Sequence, residues 1–367
     1  MKNFKVKNTG MRIIANKICM LLTAVTICLQ ITIPVAAQQW TEDKINTWYA
    51  RQNTVIGCNF LPSTAVNDIE MWQNETFDLP TIDRELGLAE EWGINSVRVF
   101  LNYTVWKAEA EKFKSNFKQF LDVADRHGIN VMPILFDDCN FSGNIAKTGK
   151  QNDPVPGIHN SGWVSSPPAA MIRDESQWHR LKEYEQDMLR TFAADRRIII
   201  WDLYNEPGNS GSKIKPQLLA NIFAWARAVN PDQPLTAGAY DNFEDELSLL
   251  MRDSSDIVSF HSYSDASETA NRILWAHATG RPAVCTEWLH RQSGNTLENI
   301  LPIFRETDIG CYSWGLVAGR TQTYFYWGSK KGSPAPEIWQ HDLIRADGTP
   351  YSESERLLFI QYSGGSK

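Results

Sequence analysis

Hydrophobic positions along the chain gather into eight short runs with little polar alternation. They span residues 55–60, 96–102, 130–136, 198–204, 235–239, 256–263, 282–288 and 310–317. Uninterrupted apolar runs of this length predict parallel strands buried on both faces. Between them the spacing changes to a helical period. Residues 176–194 set Leu181, Tyr184, Met188 and Phe192 on one face. Residues 81–92 open with Asp83 and Glu85 and stop before Gly93, and 113–127 ends in Arg126-His127-Gly128. Residues 217–229 stop before Asn230-Pro231, and shorter helices are predicted at 41–50, 244–251, 266–278, 297–304 and 353–359. Eight strands, each followed by a helix, predict the α/β class and a single-domain (β/α)8 barrel over residues 38–367. An open doubly wound sheet would carry fewer repeats. Two connections, 137–174 and 318–349, are longer than the fold requires. Both leave the carboxyl ends of strands, where barrels hold their sites.

The first 37 residues follow another logic. Lys2, Lys5, Lys7, Arg12 and Lys17 precede an almost wholly apolar run, 18–33, and Val35-Ala36-Ala37 forms a small-residue cleavage site. This predicts a secretory signal peptide at 1–37 and an exported protein, periplasmic or extracellular. The whole chain carries net charge −7, and loss of the leader makes it more acidic. An acidic exported chain is a poor partner for nucleic acid or for an anionic membrane. Of the six cysteines, Cys58, Cys139, Cys285 and Cys311 remain after cleavage. None shows zinc-type spacing, so the expectation is free buried thiols and no metal.

The candidate chemistry lies at strand ends. Ile198 to Gly208 reads IIIWDLYNEPG, an apolar strand that stops at Pro207 and so fixes Glu206 at its carboxyl end beside Asn205. Glu287 ends the seventh run in the same way, in Cys285-Thr286-Glu287-Trp288. Two carboxylates facing each other across a barrel mouth could act on a glycosidic bond. One would protonate the leaving oxygen and the other would attack the anomeric carbon. The first needs its proton held by burial and by a negative neighbour, and the second needs donors. Arg98, set inside an apolar strand, and Tyr263 are the predicted donors to Glu287.

The motifs W-D-L-Y-N-E-P at 201–207, T-E-W at 286–288, V-R-V-F at 97–100 and H-S-Y at 261–263 resemble those of the (β/α)8 retaining glycoside hydrolases. Within that clan the likeness is closest to family 5, which includes cellulases and β-mannanases. It runs in the same order from the first strand to His341-Asp342-Leu343 and 347–351. The resemblance implies that Glu206 is the acid/base and Glu287 the nucleophile. It also implies that Asn205 holds a sugar 2-hydroxyl and that Arg98 and Tyr263 orient Glu287. His261 would hydrogen-bond within the site, and Trp314 would floor the −1 sugar pocket. One departure stands out: family members commonly place His at the end of the third strand, where this chain reads Phe136-Asp137-Asp138-Cys139. Asp137 and Asp138 would either bind sugar hydroxyls or order the long loop.

Sugar recognition needs flat apolar faces flanked by polar groups. Trp72, Trp163, Trp288 and Trp327 are candidate platforms, with Asn59, His159 and Asn160 as polar partners. Trp40, Trp92, Trp178 and Trp225 are expected to be packing residues. These features predict an exported, monomeric, cofactor-free β-glycosidase acting on mannan, glucan or xylan. A non-catalytic carbohydrate-binding barrel, or a transglycosylase using the same glutamates, are the alternatives.

Overall fold

The computed structural model of the chain describes residues 38–364, so the signal peptide expected at 1–37 lies outside the described residues. Eight parallel strands pair in chain order: β1 (Ile56–Asn59), β2 (Ser96–Phe100), β3 (Asn130–Asp137), β4 (Trp201–Asn205), β5 (Leu235–Ala239), β6 (Val258–Ser262), β7 (Ala283–Trp288) and β8 (Gly310–Trp314). β8 closes on β1 with Gly57 opposite Tyr312, so the sheet is a barrel without an edge. The helices, also in chain order, are α1 (Glu42–Tyr49), α2 (Asp68–Trp72), α3 (Leu79–Glu91), α4 (Tyr103–Arg126), α5 (Ala169–Arg173) and α6 (Trp178–Phe192). They continue as α7 (Pro216–Val229), α8 (Glu246–Ser254), α9 (Ala266–His277), α10 (Leu297–Glu306) and α11 (Glu353–Ser363). The architecture is the (β/α)8 barrel.

Alternation along each strand sorts two cores. On β2, Val97 and Val99 face the helices, whereas Arg98 between them reaches the carboxylates inside the barrel. Met132, Ile200, Val284 and Tyr312 fill the lower interior. α1 closes that end with Ile45 and Tyr49, and Gly310 N donates to the Tyr49 hydroxyl at 3.1 Å. Towards the carboxyl ends of the strands the interior becomes polar, and there every buried charge needs a partner.

Departures from the expected elements have local causes. α4 starts at Tyr103, ten residues earlier than the apolar pattern suggested, because the Asn102 side chain caps Thr104 N and Val105 N. The backbone breaks helical geometry at Glu109, which masked the period. β8 ends at Trp314 because Gly315 turns with φ +77°, where an added Cβ would fall 2.2 Å from Asp342 Oδ1. α2 was not foreseen; it carries Trp72 into the core, with its ring edge-on to Phe113, Phe117 and Phe120. Trp72 is therefore a packing residue and not a sugar platform.

Candidate active site

Arg98 is the hub of the polar layer. Its Nε and Nη2 donate to Asp202 Oδ2 at 3.0 and 2.7 Å. Nη1 donates to Asn59 Oδ1 and Glu287 Oε1, both at 2.8 Å, and Nη2 also reaches Asn205 Oδ1 at 2.6 Å. The guanidinium thus ties β1, β2, β4 and β7 together. Asp202 went unrecognised, although a carboxylate inside an apolar strand is a signal in itself, and its pairing with Arg98 makes that residue structural and site-forming at once.

Glu206 follows β4 directly, and its φ of +47° is a conformation that non-glycine residues rarely adopt. The turn is held from β3: Asp138 accepts from Gly208 N at 2.7 Å and from the Tyr204 hydroxyl at 2.8 Å. Asp138 thereby orders the turn. The aimed carboxylate receives His261 Nδ1 at 2.7 Å on Oε1, and Cys139 Sγ at 3.1 Å and Asn209 Nδ2 at 2.5 Å on Oε2. Glu287 receives Arg98 on Oε1 and the Tyr263 hydroxyl on Oε2 at 2.8 Å, with His261 Nδ1 3.5 Å from Oε2. One oxygen of each glutamate and one His261 nitrogen lie within 4.8 Å of one another.

Burial raises both carboxyls above their usual range. For Glu206 the Cys139 and Asn209 bonds and the Arg98 charge oppose that rise. For Glu287, His261 opposes it, Glu206 adds to it, and Arg98 and Tyr263 pull down again. The supports differ in kind. Glu287 has a direct charge-assisted bond to a guanidinium, whereas Glu206 has only neutral donors, since burial lowers His261 to about 3. Of the two, Glu287 thus has the stronger support for a negative charge. Glu206, His261 and Glu287 are the group of possible ligand atoms found among the described residues. The guanidinium 2.8 Å from Glu287 already supplies the positive charge there.

A cavity of about 620 Å³ opens above this pair. Asn205, Glu206, His261, Tyr263, Glu287, Trp314, Trp163, Trp327, His159 and Asn160 all line it, so most of the expected site residues do converge. Apart from Trp72, three do not meet it as expected. Trp288 is fully buried on the outer face of β7 against Phe304, because the residue after an inward Glu287 must point outward. Asn59 lies below the cavity, donating to Thr286 O and Ser313 O and accepting from Arg98. Asp137 binds no open space: it accepts from Trp163 Nε1 at 2.7 Å and Asn205 Nδ2 at 2.9 Å, so it positions those two. Asn205 is accordingly held from both sides. Cys139, Asn209, Tyr240, Asp241 and Arg272 line the cavity without having been foreseen. Cys139 alone carried a sequence signal, as the departure at the end of β3. All four cysteines of the barrel are free and buried.

Comparisons with known proteins agree with this fold. The family model described as Cellulase (glycosyl hydrolase family 5) matches residues 55–320. Among solved structures, a GH5_18 protein from Streptomyces cattleya in complex with Manβ1-4GlcNAc superposes with a TM-score of 0.60 at 13% identity, covering 86% of this chain and 82% of that one. An endo-β-1,4-mannanase from Thermotoga petrophila gives 0.58 at 14% identity, covering 86% and 78%. An exo-β-1,4-mannosidase from Opitutaceae bacterium strain TAV5 gives 0.59 at 16% identity, covering 84% and 59%. No curated protein matches the chain.

Proposed function

The chain belongs to glycosyl hydrolase family 5 and is a glycosidase. On that footing we propose that it is an exported, retaining hydrolase of β-linked glycans working by double displacement. The observation that carries this reading is the 4.8 Å limit on the separation of a Glu206 oxygen and a Glu287 oxygen. Retaining enzymes hold their two carboxyls about 5–5.5 Å apart, and inverting ones about 6.5–9.5 Å to seat a water between them. Glu287, ionised beside Arg98 and Tyr263, attacks the anomeric carbon. Glu206 gives its proton to the leaving oxygen, then takes one from the water that releases the sugar. Asn205, fixed by Arg98, Asp137 and Cys139, lines the cavity where the sugar 2-hydroxyl would sit, and Trp314 gives an apolar face. Export rests on the basic and apolar character of residues 1–37.

The reaction type follows from the carboxylates; the sugar does not. Mannan, glucan and xylan fragments are all candidates, and the mannoside-directed proteins that share the fold suggest mannosides first. The test is a panel of β-linked polysaccharides, oligosaccharides and aryl glycosides, assayed beside Glu287→Gln. Turnover of one class by the unmodified chain, lost by at least about 10⁴-fold in the variant, is the expected result. A variant as active as its parent would overturn the reading.

A further inference from the structure

Resting on that reading, we infer that the cavity is closed on the side of the non-reducing end, so that the enzyme removes single terminal sugars and Asn160 grips the last one. The closure is built by the two long connections. Asn160 N donates to Thr321 O at 2.7 Å, and Gly157 N to Gln322 Oε1 at 2.9 Å. Gln322 Nε2 returns a bond to Val155 O at 2.8 Å, His159 Nδ1 meets Phe325 O at 2.9 Å, and Gly332 N donates to Pro156 O at 2.8 Å. The β1 connection joins them, since Arg320 N donates to Ser63 O and Asn67 Nδ2 to Gly162 O, both at 3.0 Å. The loops after β1, β3 and β8 are therefore one clasped wall.

Behind the wall the described residues pack closely. Phe100, Trp163 and Trp314 meet edge-to-face, with ring centroids 4.9 to 6.1 Å apart. The space beyond them is about 30 Å³, room for one water. Across the cavity Asn209, Tyr240 and Ser264 are partly exposed and Asp241 is exposed, while on the clasped loops Phe141 and Trp327 form an exposed rim. This open side follows β4, β5 and β6, where Glu206 stands. The acid must face the leaving oxygen, so the departing chain lies on the open side and the attacked sugar lies between Glu287 and the wall. A further sugar on the non-reducing side would have to pass through packed rings.

Asn160 supplies the end-group contact. It is 1% exposed and lines the cavity, and neither its Oδ1 nor its Nδ2 finds a partner among the described residues. Buried amides left unsatisfied are costly, and a donor–acceptor pair in the lining of a sugar pocket suits a hydroxyl that does both. At a closed end that hydroxyl belongs to the terminal sugar.

The test uses reducing-end-labelled β-1,4-linked hexasaccharides of mannose, glucose and xylose, with their aryl glycosides alongside. The expected first products are one free sugar and the labelled pentasaccharide. The same hexasaccharide with its terminal 4-hydroxyl methylated should be cut at least about 100-fold more slowly. Asn160→Gly keeps the left-handed backbone, φ +47°, and removes the amide. It should lower kcat/KM at least about tenfold on the free hexasaccharide and so narrow the gap between the free and the methylated chain. Labelled di-, tri- or tetrasaccharides in the first turnovers, or equal cutting of the methylated chain, would overturn the inference while the hydrolase reading stands. Aryl glycosides and hexasaccharides that all survive intact would overturn both.

Discussion

The Cys139 thiol lies 3.1 Å from Oε2 of Glu206, so a weak donor stands against the carboxyl that must deliver a proton. A donor to a carboxylate favours its ionised form and lowers its pKa. Cys139→Ala removes that support and raises the Glu206 pKa further above its ordinary value. The alkaline limb of kcat/KM, where the acid loses its proton, is then expected to move to higher pH. The acid limb, set by Glu287, is expected to stay in place. A pH–rate profile on an aryl glycoside checks this, and an alkaline limb that stays put or moves down would contradict it.

Arg98 neutralises two buried carboxylates, Asp202 and Glu287, with side-chain exposures of 0% for the pair it forms with Asp202. Removing one partner of such a network leaves uncompensated buried charge, which costs about 3–5 kcal/mol. Arg98→Met is expected to lose that much in denaturant unfolding and to lose activity as well. A loss below about 1 kcal/mol would show that the carboxylates are held by other means.

Gly238 faces the imidazole of His261. A Cβ at this position would lie 3.0 Å from His261 Nε2 and 3.7 Å from Arg98 Nη2. Gly238→Ala should therefore press the ring towards the glutamates by a few tenths of an ångström. A displacement of that size next to the reacting groups is expected to lower kcat roughly tenfold, with little change in thermal stability. Unchanged kcat would mean that His261 has no strict position to keep.

Asp68 is buried beside Asn102, and burial lifts its pKa to about 8. A carboxyl whose folded pKa lies above its unfolded value binds its proton more tightly in the fold. Its stabilising effect is complete below about pH 4 and is lost as pH rises from there to about 8. Asp68→Asn stays neutral throughout. It is expected to flatten the fall in melting temperature over that window and to be more stable than the parent at pH 8. Parallel curves for the two proteins would refute the raised pKa.

Much of this arrangement was legible before any coordinates, for identifiable reasons. Strands buried on both faces write themselves as unbroken apolar runs, and an acidic residue ending such a run cannot be a packing residue. Glu206, Glu287 and Arg98 were visible on those grounds. The misreadings were matters of direction and distance. Trp288 looked like a platform beside Glu287, yet adjacent residues on a strand face opposite ways. Trp72 looked like a loop residue because a five-residue helix leaves almost no period to detect. Cys139 and Glu206 are 67 residues apart, and Asn160 and Thr321 meet between connections with no regular pattern. Such contacts exist only once the barrel brings strand ends together.

The central claim, that Glu287 forms a covalent bond to the sugar in the first of two steps, can be tested by trapping. The unmodified chain would be treated with the 2-deoxy-2-fluoro-β-glycosyl fluoride of whichever sugar it cleaves, then digested and mapped by mass spectrometry. The expected result is a mass increase of one fluoroglycosyl unit on the peptide carrying Glu287, with activity lost in proportion. An adduct on Glu206 or on any other residue, or turnover of the fluoride by an enzyme that never carries an adduct, would contradict it.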